Sequence, residues 1–553
     1  MKHLFLTLLI ATGSVIGSSA KDTSRQPNVL LVLLDDLGYS DLGCYGSEIP
    51  TPNIDALAKS GLRFTHMANS ARCCPTRASL LTGLHPAQAG IPNFNGQLSK
   101  NSATLAEVLH SAGYQTYMAG KWHVGNGPAA SPTARGFDEF YGYTNGHSAD
   151  LWEPSNYKRL PAGRQPELSY GPGKYYATDV FTDYALEFIN QGQKSGKPWF
   201  LYLAHSAPHF PIQAPAASAA PFLSTYRRGW DVLREERFRR LKEIGLADHD
   251  GWKLSPRSIV PVEKNADIAN GYSGQPNPEW SSLDDARKED LAHRMALYAA
   301  MIKHVDDGIG RIVSKLKENG SYENTLVLLL SDNGACYEWG PFGFDGLSRA
   351  GKSIVHEGAA LESMGGPGSH MSYGSAWANL SNTPFRLYKH FTHEGGIITP
   401  FIVNWPAGIT AGDRWVRDRT HITDIMPSLI EATGATYPAT RDGNNVPPPE
   451  GLSLIRLFRN NGPLPERAIC IQHEGAFSIQ KGQWKLVKGK RFPEEAKWEL
   501  YDIQADPVEL NDLAATKPDL VTSLSDEWSR WAERTGTPQG RPIGKSRPDS
   551  SEE

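Results

Sequence analysis

The sequence is poor in cysteine and, after its first twenty residues, has no long apolar run. Its 553 residues include only five cysteines, and an odd, sparse set of this kind is not a disulfide framework. A membrane-spanning helix needs about 20 consecutive apolar residues, and no later segment offers them. We therefore expect no stable insertion into a membrane.

An excess of charge of one sign is also absent. The formal net charge is −4, from 56 Lys and Arg against 60 Asp and Glu. Without a basic stripe the chain is not expected to bind nucleic acid, and no internal repeats indicate a solenoid. The length exceeds that of one ordinary domain and predicts two, with enough apolar residues, 39%, for a large core.

The two ends of the chain are unlike the rest. Lys2 and His3 precede a short apolar run that ends in Ser18, Ser19 and Ala20, the pattern of a secretory signal peptide over residues 1–20. A membrane anchor is the alternative, although the run is shorter than about 20 residues. The prediction is export, to the periplasm or out of the cell. The polar residues 539–553 predict a disordered tail.

Most of the chain alternates between apolar runs and helical patterns. Continuous apolar runs typical of doubly covered strands lie at 28–34, 114–118, 199–204, 326–330 and 400–404. Helical patterns lie at 53–60, 104–111 and 291–316. We predict an α/β fold over 26–434, with a large, mostly parallel central sheet flanked by helices on both faces.

The pattern changes after about residue 434. Short strand candidates follow at 468–472, 476–481, 484–488 and 498–501, and a helical pattern covers 518–534. These elements predict a smaller C-terminal domain over 435–538, with an antiparallel sheet and one helix. Residues 213–285 carry few strand signals, apart from a charged helical stretch at 229–245. An insertion of this length commonly shapes a substrate pocket.

Polar residues follow four of the predicted strands. In open α/β sheets, ligands bind beyond the carboxyl ends of the strands. Any one of these groups could be a solvated loop, but four at one edge predict a single site. The groups are Asp35 with Asp36, Lys121 with His123, His209, and Asp332 with Asn333.

The acidic members of this set predict a metal site. Asp35, Asp36, Asp332 and Asn333 offer only oxygen, which suits Ca²⁺ or Mg²⁺ and not Zn²⁺. Adjacent carboxylates repel each other when buried unless a cation lies between them. The alternative is that these residues simply form turns at strand ends.

One further motif carries a specific chemistry. Cys73 is followed by Pro75, Arg77 and the run Leu81-Thr82-Gly83. This pattern resembles the signature of the type I sulfatases, in the arylsulfatase branch of the alkaline phosphatase superfamily. The segment from Lys389 to Gly395 resembles another landmark of that family. The structural alternative is a buried cysteine pair, Cys73 and Cys74, at the start of a helix.

The resemblance implies a complete catalytic apparatus. Cys73 would be oxidised to formylglycine by a maturation enzyme, and one Ca²⁺ per chain would be held by the modified Cys73 with Asp35, Asp36, Asp332 and Asn333. The family pattern also gives roles to the other residues. Arg77 would bond the modified residue, and Lys121 and Lys389 would bind the sulfate oxygens. Asp332 would be the base for attack, and His209, with Lys389, would protonate the leaving alcohol. His123 would be the base that releases sulfate.

The implied activity is hydrolysis of a small-molecule or saccharide sulfate ester. A formylglycine-dependent phosphodiester or phosphonate monoester hydrolase is the nearest alternative, but such enzymes tend to carry histidine where this chain has Asn333. A non-catalytic relative that binds sulfated glycans and a structural exported protein are more distant alternatives. Aryl, steroid and carbohydrate sulfates all fit the sequence.

Overall fold

The computed structural model describes residues 26–490, 492, 494 and 496–539. The predicted signal peptide, and residues 540–553 of the predicted tail, lie outside the described residues. Within the described ranges, no helix combines the length and the apolar character that crossing a membrane requires.

A ten-stranded sheet forms the centre of the molecule. Its strands, in chain order, are β1 Asn28–Leu34, β2 Leu62–Ala68, β3 Gln115–Lys121, β4 Glu139–Tyr143, β5 Lys158–Leu160, β6 Trp199–Ala204, β7 Thr325–Ser331, β8 Ile398–Asn404, β9 Arg414–Val416 and β10 Thr420–His421. They are arranged in the order β10-β2-β8-β7-β1-β6-β3-β4-β5, and β9 pairs with the first residues of β2, whereas β10 pairs with its last two. The strands β7, β1, β6, β3 and β4 run parallel, while β8 and β5 run antiparallel to their neighbours. The predicted mostly parallel sheet is confirmed.

Helices cover both faces of this sheet. The helices are α1 Pro52–Ser60, α2 Cys73–Thr82, α3 Leu105–Ser111, α4 Ala177–Ser195, α5 Ala216–Ala219, α6 Leu223–Tyr226, α7 Trp230–Glu243, α8 Ala266–Ala269, α9 Asp285–Glu318, α10 Ala359–Ser363, α11 Gly374–Ser381, α12 Glu394–Ile397, α13 Ile425–Thr433, α14 Ile455–Phe458 and α15 Pro518–Thr535. Alternate residues of β1 enter two different cores, Leu30 and Val32 on the face covered by α9, Leu31 and Leu33 on the face covered by α2. A strand buried on both faces must be apolar throughout, which explains the continuous runs in the sequence.

A second, smaller sheet follows near the C-terminus. Its antiparallel strands are β13 Ile469–His473, β14 Ala476–Lys481, β15 Trp484–Lys488 and β16 Glu499–Asp502, after a short hairpin of β11 Thr440–Arg441 and β12 Asn444–Asn445. Helix α15 packs Leu524, Trp528 and Ala532 against this sheet. The predicted antiparallel sheet with one helix is confirmed, while the domain boundary at residue 434 stays a prediction.

Strand β2 was not predicted from the sequence, although it leads the chain to the site. Polar Arg63, Thr65 and His66 interrupt its apolar pattern, and its pairing with β8 is irregular between Phe64 and Met67. The strand runs antiparallel to β8, which is itself antiparallel to β7. Its carboxyl end therefore lies at the same edge of the sheet as that of β7, and the chain continues from there to Cys73.

Candidate active site

The four polar groups found in the sequence follow four adjacent strands. Strands β7 and β6 flank β1, with Leu34 opposite Ser331 and Leu33 opposite Ala204, and β3 lies beyond β6. Their carboxyl ends form one edge of the sheet. The structure thus brings together all the residues that the sequence places there: Asp35, Asp36, Lys121, His123, His209, Asp332 and Asn333.

Two sharp turns of the backbone aim neighbouring side chains into this site. Asp36, with φ 63°, and His123, with φ 53°, are both in the left-handed region, which non-glycine residues seldom adopt. At Asp36 the turn lets both adjacent carboxylates face the site. At His123 it brings the imidazole to the side of the site where Lys121 lies, although an extended chain would send alternate residues apart.

Cys73 is the first residue of α2 and is buried beside these groups. A hydrogen bond from Cys74 lowers the pKa of the Cys73 thiol well below its ordinary value, against the effect of burial, and the nearby Lys121 and His123 lower it further. The position at a helix N-terminus also favours negative charge. Cys73 therefore occupies the electropositive place that a nucleophile needs.

Asp35 is held by two fully buried cations. Its Oδ2 accepts from Lys121 Nζ at 2.5 Å and lies 3.5 Å from Arg77 Nη2. Burial alone would raise the pKa of Asp35, but the charges of Lys121, His209 and Arg77 bring it below the ordinary value. This carboxylate is ionised at neutral pH.

Asp332 lies beside Asp35 and accepts hydrogen bonds from the same arginine. Arg77 donates to its Oδ2 through Nη2 at 2.8 Å and Nε at 3.2 Å, and also to the carbonyl of Lys121 at 3.0 Å. Burial and the charge of Asp35 raise the pKa of Asp332 well above its ordinary value. The protein's own cations thus leave this carboxylate cluster short of positive charge.

The remaining oxygens of the cluster suit a hard cation. Asp35 Oδ1 and Asn333 Oδ1 are buried, and no donor within the described residues reaches either atom. The side chains of Asp35, Asp36 and His209 place ligand atoms within 4.8 Å of one another. Unpaired buried oxygens are costly unless something binds them, so carboxylate and amide oxygens here fit Ca²⁺ or Mg²⁺.

Lys389 reaches the site from the loop between α11 and α12. Its Nζ donates to Asp36 Oδ2 at 3.0 Å and lies 3.4 Å from His209 Nε2. His209 Nδ1 is 2.6 Å from the carbonyl oxygen of Phe210, an acceptor, so Nδ1 carries a proton and Nε2 faces the site. His209 Nε2 also lies 3.3 Å from Asp36 Oδ2, so both side chains contact the same carboxylate oxygen.

His123 lies near Cys73. Neither ring nitrogen has a hydrogen-bond partner among the residues described, and the ring meets Phe94 edge-on with centroids 5.8 Å apart. Burial lowers the pKa of His123 to about 4, despite the opposing effect of Cys73. A neutral imidazole with unpaired nitrogens is suited to accept a proton from a group bound at Cys73.

Several residues of the site were not found from the sequence. Tyr202 lies 3.4 Å from Arg77, Phe94 stacks on the guanidinium of Arg72 at 3.7 Å, and Glu338 Oε1 lies 3.7 Å from Lys389 Nζ. Arg72 in turn pairs with Glu474 on the hairpin between β13 and β14, so the small sheet contributes one wall. Tyr202 lies on a buried strand and the others on loops, and no local pattern marks any of them.

A mostly parallel sheet, a nucleophile position at a helix N-terminus and a buried cluster of cations and carboxylates together define a hydrolase that acts on an oxyanion ester. The chain belongs to the sulfatase family, whose model matches residues 27–435. A second model, the C-terminal region of N-sulphoglucosamine sulphohydrolase, matches residues 385–530. The protein is accordingly a sulfuric ester hydrolase.

Relatives match over nearly the whole chain. An uncharacterised sulfatase of Schizosaccharomyces pombe is 32% identical over 93% of this chain and 94% of its own length. An arylsulfatase of Klebsiella aerogenes is 31% identical over 80% of this chain and 94% of its own. Of the solved structures, the Ps i-CgsB complex with k-i-k-neocarrahexaose has a TM-score of 0.64 at 24% identity, covering 94% of this chain and 95% of that one. It confirms the fold.

Proposed function

We propose that the enzyme cleaves sulfate monoesters with a formylglycine made from Cys73 and with one Ca²⁺ held by Asp35, Asp36, Asp332 and Asn333. The observation that carries this proposal is the position of Cys73. It lies at the start of a helix, near Lys121 and His123, next to a carboxylate cluster in which Asp35 Oδ1 and Asn333 Oδ1 have no donor among the described residues. A structural cysteine pair would need neither neighbour.

The two proposed groups supply what the side chains lack. Hydrated formylglycine would supply two hydroxyls on one carbon, one for attack on sulfur and a second whose deprotonation would re-form the aldehyde as the bond from that carbon to the sulfate oxygen breaks. A calcium ion at the oxygen cluster would supply a charge that stabilises developing negative charge on oxygen. Asp35 and Asp36 would be among its ligands, Asp332 and Asn333 would complete the set with the modified Cys73, and Asp332 would be the base for attack.

The cations of the chain bind and orient the ester. Lys121 donates to Asp35 and Lys389 donates to Asp36, so the two charges lie at different carboxylates of the cluster. Sulfate oxygens between them would be fixed for in-line attack. Arg77 acts as a positioning residue, because its hydrogen bonds go to Asp332, to Tyr202 and to the backbone of Lys121.

Two histidines divide the proton transfers. His209, with Nε2 turned to the site beside Lys389, would protonate the leaving alcohol. His123, on the side of Cys73, would take the proton that frees sulfate from the enzyme. His209 lies beside Lys389 and His123 near Cys73, so the two proposed proton transfers involve different parts of the site.

The remaining expectations concern substrate, maturation and location. Homology to an arylsulfatase supports aryl sulfates as substrates, and sulfated saccharides fit as well. A formylglycine-generating enzyme would modify Cys73, and the signal pattern at residues 1–20 would direct export, to the periplasm or out of the cell. We assign residues 26–434 to the catalytic domain and 435–538 to the smaller one.

A comparison of nitrophenyl sulfate with nitrophenyl phosphate and a nitrophenyl phosphonate tests the function. We expect the sulfate to be hydrolysed with the highest kcat/KM, and Cys73→Ala to abolish turnover. Preference for the phosphonate would favour the alternative hydrolase, whose fold is represented here by a phosphonate monoester hydrolase of Silicibacter pomeroyi, TM-score 0.57 at 19% identity over 93% of this chain and 96% of that one. Binding without turnover would indicate a sulfated-glycan-binding protein.

A further inference from the structure

A carboxylate that the catalytic roles above do not use lies at the open side of the site. Glu338 Oε1 accepts from His390 Nε2 at 2.7 Å and lies 3.7 Å from Lys389 Nζ. Its side chain is 15% exposed, whereas Asp35, Arg77 and Lys121 are wholly buried. An anion at this position is unexpected beside a cation assigned to bind sulfate.

The second oxygen of Glu338 is available to a ligand. Oε1 makes both contacts given above, and within the described residues no donor bonds Oε2, which is not a buried atom. Burial acts to raise the pKa of Glu338, but Lys389 and His390 hold it well below the ordinary value. The carboxylate is therefore ionised and accepts hydrogen bonds without donating any.

Lys389 links this carboxylate to the residue proposed as the general acid. Lys389 Nζ lies 3.4 Å from His209 Nε2 and 3.7 Å from Glu338 Oε1. If His209 protonates the leaving oxygen, the carbon bearing that oxygen lies near Lys389. A substituent on the adjacent carbon can then extend toward Glu338, which is more exposed than Asp35, Arg77 or Lys121.

We propose that Glu338 is a specificity-determining residue that selects esters with a free hydroxyl next to the sulfated carbon and rejects those with a second sulfate there. The inference rests on the proposed function and narrows its substrate class to vicinal hydroxy sulfates, as in monosulfated sugars and catechol-like phenols. A hydroxyl donates to Oε2, while a second sulfate meets an ionised carboxylate and gains no hydrogen bond from it.

Glu450 offers a matched comparison away from the site. Its side chain is 15% exposed, like that of Glu338, and its charge is balanced by Arg534, with Nη1 to Oε1 at 2.6 Å and Nη2 to Oε2 at 2.9 Å. It makes no contact with Lys389 or His390 among those described. The same change of charge at Glu450 should therefore leave the choice between neighbouring substituents unaltered.

Three esters on one ring system separate these effects: phenyl sulfate, catechol monosulfate and catechol disulfate. Each enzyme variant is assayed for kcat/KM on all three, and only ratios to phenyl sulfate are compared, so that any general loss of catalysis cancels. For Glu338→Gln we expect the relative rate on catechol disulfate to rise roughly 10- to 100-fold, the range of one hydrogen bond to a charged group. The preference for catechol monosulfate should fall.

Two further variants make the result decisive. Glu338→Asp keeps the charge but shortens the side chain, so the disulfate should stay rejected while the preference for the monosulfate weakens. Glu450→Gln should leave both ratios as in the wild type. Ratios that do not change in Glu338→Gln, or that change equally in Glu450→Gln, would overturn the proposal and leave Glu338 as a structural partner of Lys389. If the wild type hydrolyses none of the esters, it is the proposed function that fails.

Discussion

Arg77 donates two hydrogen bonds to Asp332 Oδ2, from Nη2 at 2.8 Å and from Nε at 3.2 Å, and both side chains are completely buried. The contact joins helix α2, which begins at Cys73, to the end of strand β7. The nucleophile position and the carboxylate cluster are thereby fixed relative to each other. A planar guanidinium can bond Asp332 and also the backbone carbonyl of Lys121, whereas the ammonium group of a lysine cannot bond both acceptors in this arrangement.

Arg77→Lys should therefore keep the charge and lose the geometry. We expect kcat/KM on an aryl sulfate to fall about 10²- to 10³-fold, the cost of one misplaced electrostatic element, with reduced calcium content. Arg135→Lys is the matched control, because Arg135 is also a buried arginine, bound to Ser102 and Glu107 away from the site. Equal losses in the two variants would mean that Arg77 matters only for stability.

Cys73 should be formylglycine in the active protein, and Cys74 should remain a thiol. Only Cys73 stands two residues before Pro75 and four before Arg77, and the sulfur of Cys74 lies 3.7 Å from the carbonyl oxygen of Asn93. Mass spectrometry of the peptide that spans these residues should show aldehyde at the first position alone. We expect Cys73→Ala to lose turnover entirely and Cys74→Ser to keep it within a few-fold. Full activity of a preparation whose Cys73 is an unmodified thiol would disprove the mechanism.

The sequence predicted the sheet and the site to different depths. Strands β1 and β6 were predicted to the residue because burial on both faces makes their runs continuously apolar. The residues at their ends stood out because a carboxylate or histidine directly after such a run is unusual. The positions of Glu338 beside Lys389 and of Arg72 beside Glu474 could not be predicted, because they depend on contacts between loops that are far apart in the chain. The bond between Arg72 and Glu474, for example, spans 402 positions.

Calcium should be essential and should be held by the oxygen cluster. Chelation should abolish activity, and Ca²⁺ should restore it better than Zn²⁺, because Asp35, Asp36, Asp332 and Asn333 provide oxygen only. Metal analysis should give one calcium per chain, falling in Asp35→Asn. Asp41→Asn is a suitable control: Asp41 is equally buried, but Arg237 satisfies its charge at 2.7 Å. Two zinc ions per chain would contradict the assignment.

A buried ion pair joins the two sheets and should make stability depend on pH. Glu394 Oε1 accepts from Lys485 Nζ at 2.7 Å, and its Oε2 from Arg419 at 3.2 Å. Burial would raise the pKa of Glu394, but these two cations lower it to about 2 from 4.5. Because the folded-state pKa is lower than the ordinary value, the stabilisation is complete above about pH 4.5 and is lost as the pH falls toward 2.

Glu394→Gln should remove that dependence and destabilise the fold by about 1.5–3 kcal/mol, the cost of losing a hydrogen bond between charged groups, because Lys485 keeps a second buried partner in Glu509 at 2.7 Å. The measurement is the free energy of unfolding by denaturant between pH 3 and pH 7 for both proteins. Glu527→Gln breaks an exposed pair with Lys481 and should cost under about 1 kcal/mol at any of these pH values. If the two variants have the same unfolding free energy at pH 7, the buried pair contributes nothing to stability.

His209 and His123 should respond differently to the leaving group. His209 lies beside Lys389, and His123 lies near Cys73. General acid catalysis contributes roughly 10²- to 10⁴-fold and is needed most by poor leaving groups. His209→Ala should therefore harm hydrolysis of alkyl and high-pKa phenyl sulfates far more than that of nitrophenyl sulfate, whose leaving group hardly needs a proton.

His123→Ala should instead slow kcat for all esters alike, because it acts after the alcohol has left, and sulfated enzyme should accumulate. The measurement is a plot of log kcat/KM, and a second plot of log kcat, against leaving-group pKa for the wild type and both variants, with mass spectrometry of the quenched enzyme. Because kcat/KM does not include steps after the alcohol has left, His123→Ala should lower kcat and leave kcat/KM close to that of the wild type. A histidine away from the site provides the control: His293→Ala alters a residue of α9 that bonds the carbonyl of Glu289, and its plot should match the wild type. A slope for His209→Ala no steeper than that of the wild type would transfer the role of acid to Lys389, which lies 3.4 Å from His209 and is the nearest alternative proton donor.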